Sequence, residues 1–547
     1  MKLPEIVNAT QAELDELLVR AKPTFTSEQY LLLERVLATF VYVMGSLQSA
    51  KASIKRLQHM LFGQRTEHKH HVLGASAVTG DPHTPEATDR APDPDPAVVP
   101  TLPRARLPGH GRNAAQAYSS APIVACNHLE MTAGDRCPNC GQGRVYACPP
   151  RAIVKVVGQA PLGATVYQVE RLRCRLCDTV FTAPLPAAVA ALPKYDATCA
   201  SMIALLRYGS GVPHYRLEGL QASLYMPLPD ATQWDIVSRA VPAPRAAFEE
   251  LIRQAAQAPL LHNDDTPMKV LSLMAARARA EADGVLPVAK AINTSGIVAV
   301  LNEDDPPRKV VLFFTGHAHA GTNLERVLAH RAQALQPALQ MCDALASNVA
   351  GEFKTLLGNC LTHGRRQVVE IAEQFPEAAR CVIEALAKVY QHDATCRQDK
   401  LCAQQRLVFH QEHSGPVMDK LHDWMNAQFE QRLVEPHSAL GKALRYLIRH
   451  WDALTLFLRQ AGAPLDNNLC ERALKRAILH RKGSMFYKTP NGAQVGDIYM
   501  SLIHTCTLCG VNPFDYLNAL QRHAHAVTDH AAQWLPWNYR EQLAAGP

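Results

Sequence analysis

Apolar residues near the N-terminus recur at the spacing of a helix. Between residues 10 and 65 they step by three, four or seven positions, at Leu33, Leu37, Phe40, Met44, Leu47, Ile54, Leu57 and Leu61. About four heptads of this kind predict a leucine-zipper-like coiled coil within residues 1–71, with Lys51 as a polar seam position that can fix its register. The alternative is an amphipathic helix that packs on its own chain. We expect the seam to self-associate into a homo-oligomer, because so apolar a stripe is costly to expose.

The pattern changes to short β-type runs in the middle of the chain. Strands are predicted for APLLHNDD, KVLSLMA, GIVAVLN, KVVLFFTG and PALQMCD, and a helix for NLERVLAHRAQAL. Helical patterns then fill residues 366–462, and residues 491–523 are helical again. Strands that end in acids, with helices after them, predict an α/β domain over 258–365 and 463–510 that is interrupted by a helical insertion.

Further helices lie on both sides of this domain. Residues 191–257 contain two or three helices with short turns, which are either a DNA-binding module or helices packed against the α/β domain. A helix in the last part of the domain ends at the C-cap glycine Gly510, and residues 511–547 follow as a C-terminal element. The chain is therefore predicted to be multidomain α/β.

Two cysteine pairs lie between the N-terminal helix and these helices. A proline-rich linker over residues 72–121, predicted to be disordered, precedes them. Cys137 and Cys140, and Cys174 and Cys177, are two C-x-x-C knuckles. Each knuckle turns both sulfurs toward one ion, so the set predicts a zinc ribbon over 122–190 with a structural Zn²⁺. The alternatives are four unrelated cysteines, or a substitution within the set by one of the spare ligands Cys126, His128 and Cys148.

Composition narrows the class of protein. The 547 residues are 47% hydrophobic and 19% charged, with a formal net charge of +6, so several domains with cores are expected and the excess of base is mild. Apolar runs stay well short of the ~20 residues of a membrane span, and the N-terminus lacks a secretory signal core. Fifteen cysteines in so long a chain favour a reducing compartment, which predicts a cytoplasmic protein.

The stretch LDNNLCERALKRAILHRK, residues 465–482, combines one inward acid with a basic side. Glu471 lies at the edge of the apolar face of a predicted helix. A carboxylate beside a row of cations suits a site that holds metal ions next to phosphates. The alternative is that Glu471 is the capping-box partner of Asn468 and only closes the helix end. The basic residues are Arg472, Lys475, Arg476, His480, Arg481 and Lys482.

Two further acids follow predicted strands. Asp264 ends one strand and Asp343 ends another, and with Glu471 they form a strand, strand and helix set that can converge at one sheet edge. Three carboxylates a few ångströms apart can hold two divalent ions, which activate a hydroxyl nucleophile and stabilise the leaving oxygen of a phosphodiester. Taken singly, each acid could be a turn or cap residue. The competing acids are Asp265, Asp304 and Asp305.

Several local motifs together resemble those of the DDE transposases of the insertion-sequence-66 family. They are FGQRTE, HGRN, the two-knuckle region, VPHYRLEGL, HNDDTP, CDALASN, NCLTHGRR, DNNLCERALKR, GVNPFDYLNAL and WLPWNY. The resemblance covers most of the chain. Two departures stand out: the first acidic motif has Asp-Asp-Thr where many members have Asp-Glu-Thr, and the second lacks the Gly-Tyr that commonly follows its aspartate.

The resemblance implies a ribonuclease-H-like catalytic domain with a helical insertion, preceded by the coiled coil and the zinc ribbon. It implies that Asp264, Asp343 and Glu471 form an acidic triad with catalytic Mg²⁺ (or Mn²⁺). The substrate would be double-stranded DNA, at the element ends and in the target, on the bacterial nucleoid. Small accessory proteins of the same element are implied partners. The alternative is a zinc-ribbon DNA-binding or regulatory protein, such as a decayed transposase without catalysis. The DNA contacts are predicted at Arg472, Lys475, Arg476, Arg481 and Lys482.

We predict that the four knuckle cysteines bind one zinc ion. Cys174→Ser should lose most of the bound metal and destabilise residues 122–190, because a hydroxyl oxygen is a poor substitute for a thiolate ligand. Metal content after dialysis, measured on the full chain, checks this. A variant that keeps full metal content would show that Cys126, His128 or Cys148 completes the site instead.

Overall fold

The structure is a computed structural model, and it describes residues 11–39, 41, 123, 125, 132–140, 142–148, 159–173, 175, 180–284, 291–302 and 307–545. The chain divides into two compact units, Met1–Gly80 with Leu162–Pro547, and Asp81–Pro161. The predicted linker and most of the predicted coiled-coil seam lie outside the described residues.

The secondary structure of the described residues is mixed. The strands are β1 Arg171–Arg173, β2 Val180–Thr182, β3 Leu260–Pro267, β4 Asn293–Asn302, β5 Arg308–Gly316, β6 Leu339–Cys342 and β7 Leu356–Asn359. The α-helices are α1 Gln11–Ala21, α2 Ala187–Ala190, α3 Ala197–Ala204, α4 His214–Ser223, α5 Asp230–Arg239, α6 Pro242–Ala256, α7 Leu271–Ala282, α8 Ala320–Leu328, α9 Leu361–Val369, α10 Pro376–Gln398, α11 Ala403–Phe409, α12 Gly415–Glu430, α13 Ala439–Arg449, α14 Trp451–Leu454, α15 Asn468–Ser484, α16 Pro490–Leu508, α17 Pro513–Arg522, α18 Ala524–Asp529 and α19 Tyr539–Ala545. Residues 27–39 are also helical.

A five-stranded mixed sheet organises the larger unit. Its order is β5-β4-β3-β6-β7, with β4 antiparallel to both β3 and β5, and with β6 and β7 parallel to β3. The first eight residues of β4 are all buried, which requires helices on both faces of the sheet and explains its nearly continuous apolar run. The strand predictions for β3, β4, β5 and β6 are confirmed.

Two details of the strand prediction differ from the structure. KVLSLMA was expected to be a strand, but after one isolated bridge at Val270 it forms helix α7. No residue of α7 is buried, so no sheet neighbour stabilises an extended form, and leucine, methionine and alanine favour the helix. The four-residue strand β7 was not predicted, because LLGN is too short to show a period.

The helices of residues 191–257 belong to the core of the sheet. Apolar residues of α3, α5 and α6 share one buried cluster with β4, β5, α15, α16 and α17, including Ile203, Val237, Leu251, Val298 and Leu502. The predicted packing against the α/β domain is observed, and the DNA-binding interpretation of this segment stays a prediction. The C-terminal helices join the same cluster through Tyr516 and Trp534. Gly510 has φ +68°, which matches the predicted helix-ending glycine.

Residues 361–467 leave the sheet and return to it. All are described, and they contain helices α9 to α14 and no strand. They build a second apolar cluster of their own, with Val382, Leu386, Met425 and Leu444 at its centre. The two ends meet where the Leu361 N–H donates to the Leu465 carbonyl at 3.0 Å. The insertion therefore has an apolar core of its own, and this core also packs against Leu339 of β6.

The described start of the N-terminal seam faces its own chain. Leu37 lines a cavity of about 350 Å³ together with Leu14 and Leu18 of α1 and Phe429 of α12. Leu33 and Leu37 are half-buried, whereas Leu31, Leu32 and Val36 are exposed. Self-association of residues 33–61 stays a prediction, since most of the seam lies outside the described range.

Helix α16 covers the open edge of β5. The N–H groups of Thr315, Phe313 and Val311 alternate along the strand, and they donate to Asp497 Oδ2, Ser501 Oγ and Thr505 Oγ1 at 2.7, 2.9 and 3.0 Å. Four residues of a helix span about 6 Å and two residues of a strand about 6.8 Å. The spacing of the acceptors on α16 therefore nearly equals the spacing of the donors on β5. The helix thus supplies acceptors that a sixth strand would otherwise provide.

Asp497 should make stability depend on pH. Burial raises its pKa to about 7, whereas an unfolded aspartate titrates near 3.8. Between these values only the unfolded state gains charge, so stability should fall as pH rises, by at most about 1.4 kcal/mol per pH unit. Asp497→Asn mimics the protonated side chain and should flatten this dependence, which urea unfolding at pH 5 and pH 7.5 would detect. An equal slope in both proteins would contradict the assignment.

Candidate active site

Asp264 and Asp343 lie on adjacent parallel strands. His262 of β3 pairs with Met341 of β6, and each acid lies two residues further along its strand direction. Asp343 directly follows β6, as expected, while Asp264 lies inside β3, which continues to Pro267. Parallel register therefore brings the two carboxylates to one position at the sheet edge.

Asn348 bridges these two carboxylates. Its Nδ2 donates to Asp343 Oδ1 at 2.5 Å and lies 3.4 Å from Asp264 Oδ1. The backbone carbonyl of Asn348 accepts hydrogen bonds from Asn263 Nδ2 and Gln340 Nε2 at 2.6 and 2.7 Å. These bonds fix the backbone from which the Asn348 side chain reaches the two acids. Sequence reasoning missed Asn348, and its only signal was its place at the end of the CDALASN motif.

Asn467 fixes the start of the helix that carries Glu471. Its Nδ2 donates to the Asn263 carbonyl at 3.0 Å, and its backbone N–H donates to Cys360 Sγ at 3.2 Å. Its Oδ1 lies 3.1 Å from His262 Nδ1, which must donate because the partner is an amide oxygen. Burial lowers the pKa of His262 to about 4, so the ring is neutral. Glu471 follows one turn after this residue.

The capping interpretation of Glu471 is wrong. Helix α15 begins at Asn468 itself, its N-cap is Asn467, and no side chain caps it. Glu471 is therefore in the fourth helical position, too far along to bond back to the N-cap. Its carboxylate instead lies toward the acids of the sheet, where it is one of the charges that raise the pKa of Asp264.

Gly296 permits the close approach of α15 to the sheet. It pairs with Asp264 across β3 and β4, and a Cβ atom at this position would lie 2.9 Å from Leu474 Cδ2. The adjacent Cys470 donates its thiol hydrogen to the Gly296 carbonyl at 3.2 Å. A larger residue would push α15, and with it Glu471, away from β3.

The electrostatics of the site fit a divalent cation with oxygen ligands. Burial first, and then the charges of Asp343 and Glu471, raise the pKa of Asp264 to about 7. Glu471 Oε1 and Asn348 Oδ1 are buried and have no hydrogen-bond partner within the described part of the chain. A hard cation such as Mg²⁺ or Mn²⁺ would supply the missing partner and offset the crowded negative charge.

Asp265, the immediate rival of Asp264, has a structural role. It points to the opposite face of β3, where its carboxylate accepts hydrogen bonds from Ser295 Oγ at 2.7 Å and from the Ala320 N–H at 3.0 Å. It also lies 3.1 Å from His319 Nδ1, so it holds the start of α8. Asp304 and Asp305 lie outside the described residues.

Two further residues border Glu471. His363 Nδ1 lies 3.7 Å from Glu471 Oε1, and the possible ligand atoms of Cys360, His363 and Glu471 all lie within 4.8 Å of one another. Burial raises the pKa of the Cys360 thiol to about 11. Sulfur is also a soft ligand, whereas Mg²⁺ and Mn²⁺ prefer oxygen. Neither residue was predicted as a site residue, although both lie in the NCLTHGRR motif.

The basic residues of α15 do not share one exposed face. Lys475 and Lys482 lie within about 40° of Glu471 around the helix axis, and both are exposed. Arg476 is exposed but donates to the Gly209 carbonyl at 3.4 Å, and Arg472 donates to the Asn468 carbonyl within its own helix. Lys475 and Lys482 are therefore the freest cations of this set.

Two members of the predicted basic side belong to the protein interior or contact its own strand. Arg481 is half-buried and donates to Thr266 Oγ1 at 3.3 Å and to the Pro267 carbonyl. His480 is buried and stacks between Tyr208 and Tyr487, with ring centroids 5.9 and 4.8 Å away. Burial lowers the pKa of His480 to about 3, so it carries no positive charge, and its placement on the exposed side is wrong.

The first cysteine knuckle is formed in the smaller unit. Arg136 and Arg144 make an isolated antiparallel bridge around it, and the Cys137 N–H donates to the Gly143 carbonyl at 2.8 Å. The Gly143 N–H points at Cys140 Sγ at 3.5 Å and is the main cause that lowers the pKa of this thiol. Cys174 and Cys177 lie outside the described residues, as do Cys126 and His128, so the zinc site stays a prediction.

Comparison with known proteins identifies the family. The model of the family "Transposase IS66 family" matches residues 194–495, which is more than half of the chain and includes all three acids. Among the described residues, no helix is both long and apolar enough to cross a membrane.

Three relatives from Sinorhizobium fredii are similar to this chain, and each is described as an uncharacterized protein. The protein y4jD is 32% identical over 195 residues, 34% of this chain and 36% of the relative. The protein y4hP is 23% identical over 400 residues, 69% and 68% of the two chains, and y4qI is 26% identical over 207 residues, 36% of each. The chain thus spans about a third of the length of y4jD and y4qI. On a match that covers the whole five-stranded sheet and the whole insertion, the chain belongs to the IS66 transposase family.

Proposed function

We propose that this protein is a DDE-type transposase that cleaves DNA at the ends of a bacterial insertion sequence and joins those ends to target DNA. The observation that carries the proposal is the convergence of Asp264, Asp343 and Glu471, which come from two strands and a helix. The charges of Asp343 and Glu471 both raise the pKa of Asp264, which supports placing the three carboxylates in one site. The five-stranded mixed sheet with a helical insertion supports a ribonuclease-H-like catalytic domain.

The three carboxylates would hold Mg²⁺ or Mn²⁺. When bound, such ions activate a water or a 3′-hydroxyl and stabilise the leaving oxygen of a phosphodiester. The chain's own groups prepare the site: Asn348 keeps Asp264 and Asp343 at a fixed separation, and Asn467 fixes the helix turn that presents Glu471. Rigid ligands of this kind limit the reorganisation needed during the reaction.

Exposed cations next to the acids would position the DNA. Lys475 and Lys482 share the side of α15 that carries Glu471, so phosphates bound there would lie beside any metal ions held by the acids. We further propose a structural Zn²⁺ on the cysteine knuckles, a homo-oligomer through the N-terminal seam, action on nucleoid DNA, and small accessory proteins of the same element. The opposing possibility is a transposase that has lost catalysis and binds DNA only.

Glu471→Gln should abolish cleavage and leave DNA binding near normal or slightly stronger. The substitution removes a charged metal ligand but keeps the size of the side chain, and it also reduces repulsion of phosphates. The assay is Mg²⁺- or Mn²⁺-dependent nicking of DNA that contains the sequences flanking the gene. Glu249→Gln, an exposed residue of α6, is the matched control and should cleave normally.

Wild-type cleavage by Glu471→Gln would show that the acid assignment is wrong. If the wild-type protein itself binds this DNA but never nicks it, the non-catalytic alternative is correct.

Changing Lys475 and Lys482 together to alanine should weaken binding to unrelated DNA sequences almost equally, because phosphates carry no base information. The slope of log affinity against log salt should fall by about one for each lost contact. Lys388→Ala with Lys420→Ala is a charge-matched control, because these exposed lysines line a separate cavity of the insertion. Equal losses in both double variants would indicate a net-charge effect and no DNA path along α15.

A further inference from the structure

A basic groove runs along helix α13 of the insertion. It has a volume of about 590 Å³ and is lined in part by Lys442, Arg445, Arg449, His437 and His450, with no carboxylate among its lining residues. Lys442, Arg445 and Arg449 are exposed, and their i, i+3, i+7 spacing aligns them on one side of the helix. We call this surface the α13 groove.

The cations of the α13 groove have no ion-pair partners within the described part of the chain. Arg445 lies over the Phe429 ring, with its guanidinium carbon 5.7 Å from the ring centroid, which holds it in place and leaves its charge uncompensated. Lys442 and Arg449 make no salt bridge to any described acid. Several unpaired cations in one groove repel each other, so the free protein gains nothing from this arrangement.

The α13 groove adjoins the acidic site through Tyr446. This residue lines the groove, and its hydroxyl group is close enough to Asp343 and to the backbone of Ala344 for both to affect its pKa. The same helix packs on α9, where Gly364 faces Tyr446 and Leu447. Gly364 directly follows His363, which borders Glu471. Tyr446 and helix α9 therefore connect the groove to the acidic site.

The dimensions of the α13 groove match a DNA backbone. Lys442 and Arg449 are seven residues apart, which is about 10 Å along a helix axis. A DNA duplex presents about six phosphates over such a length. An acidic protein segment could also bind these cations, but Tyr446 of the groove lies next to Asp343 of the proposed phosphodiester site, which favours DNA.

We propose that the α13 groove is a second phosphate-binding surface, which holds duplex DNA on the insertion side of the acids while Lys475 and Lys482 hold it on the α15 side. The inference rests on the proposed function and adds to it a role for the insertion: it forms one wall of the DNA path. Two walls with the acids between them would fix the scissile phosphodiester from both directions.

The test compares two charge-matched double variants of the full chain. Lys442→Ala with Arg449→Ala should lower the salt slope of binding to a random-sequence duplex by about two, whereas Lys388→Ala with Lys420→Ala should leave it unchanged. Arg445 is kept, because its contact with Phe429 also contributes to packing. Cleavage of DNA from the gene's flanks by the first variant should fall at low DNA concentration and recover at saturating DNA. Equal thermal unfolding of the two variants confirms that both fold.

Three results separate the outcomes. If wild type cleaves and both double variants bind DNA with the wild-type salt slope, the α13 groove is not a DNA surface and the proposed function stands. If only the Lys442 and Arg449 variant has a lower salt slope of DNA binding and wild type never cleaves, the α13 groove binds DNA and the proposed catalytic activity is wrong. If poly-glutamate binds the groove more tightly than the duplex does, its partner is an acidic protein and the inference is overturned.

Discussion

The buried hydrogen bonds of Asn467 determine where the chain returns to the sheet after the insertion, and so where Glu471 lies. Asn467 and Cys360 are 107 residues apart in the chain and meet at a hydrogen bond, while the same asparagine binds the backbone of β3. A buried amide left without partners costs about 1–3 kcal/mol, so each of these bonds penalises any other docking of the returning chain. The entropy cost of closing so long a loop grows only with the logarithm of its length. A few directional bonds therefore suffice, because the insertion supplies its own core.

The proposed site lowers the stability of the fold in return for the function we propose. Three carboxylates meet around Asp264, where burial and like charge both oppose ionisation. A structure optimised for stability alone would replace one of them with an apolar residue. Asn348 offsets part of the repulsion by donating to two of the acids, and a bound cation would offset the rest. We therefore expect the protein with bound metal to be the more stable form, since ligand binding adds to folding stability.

The sequence predicted the elements in which an apolar pattern extends over many residues. It missed those that depend on tertiary contacts. Buried strands such as β4 show as apolar runs, and α15 shows as a helix with one inward acid. The α7 segment has the same apolar character as a strand, but it has no sheet neighbour and its residue types favour a helix. The site residues Asn348 and His363 have no periodic signature, because their roles come from distances to residues far along the chain. The basic side of α15 was predicted from its residue types. In the structure, some of these residues, such as Lys475, are exposed, whereas His480 is buried.

The match between α16 and β5 couples two kinds of register. Successive acceptors stand four residues apart on the helix, while their donors stand two apart on the strand. Inserting or deleting one residue in α16 would turn the following acceptors by about 100° and leave the N–H groups of the strand bare. Such a change would turn a closed sheet margin into a template on which a second chain could add a strand. Length variation in this family should therefore avoid the middle of this helix and collect in the segments before and after it.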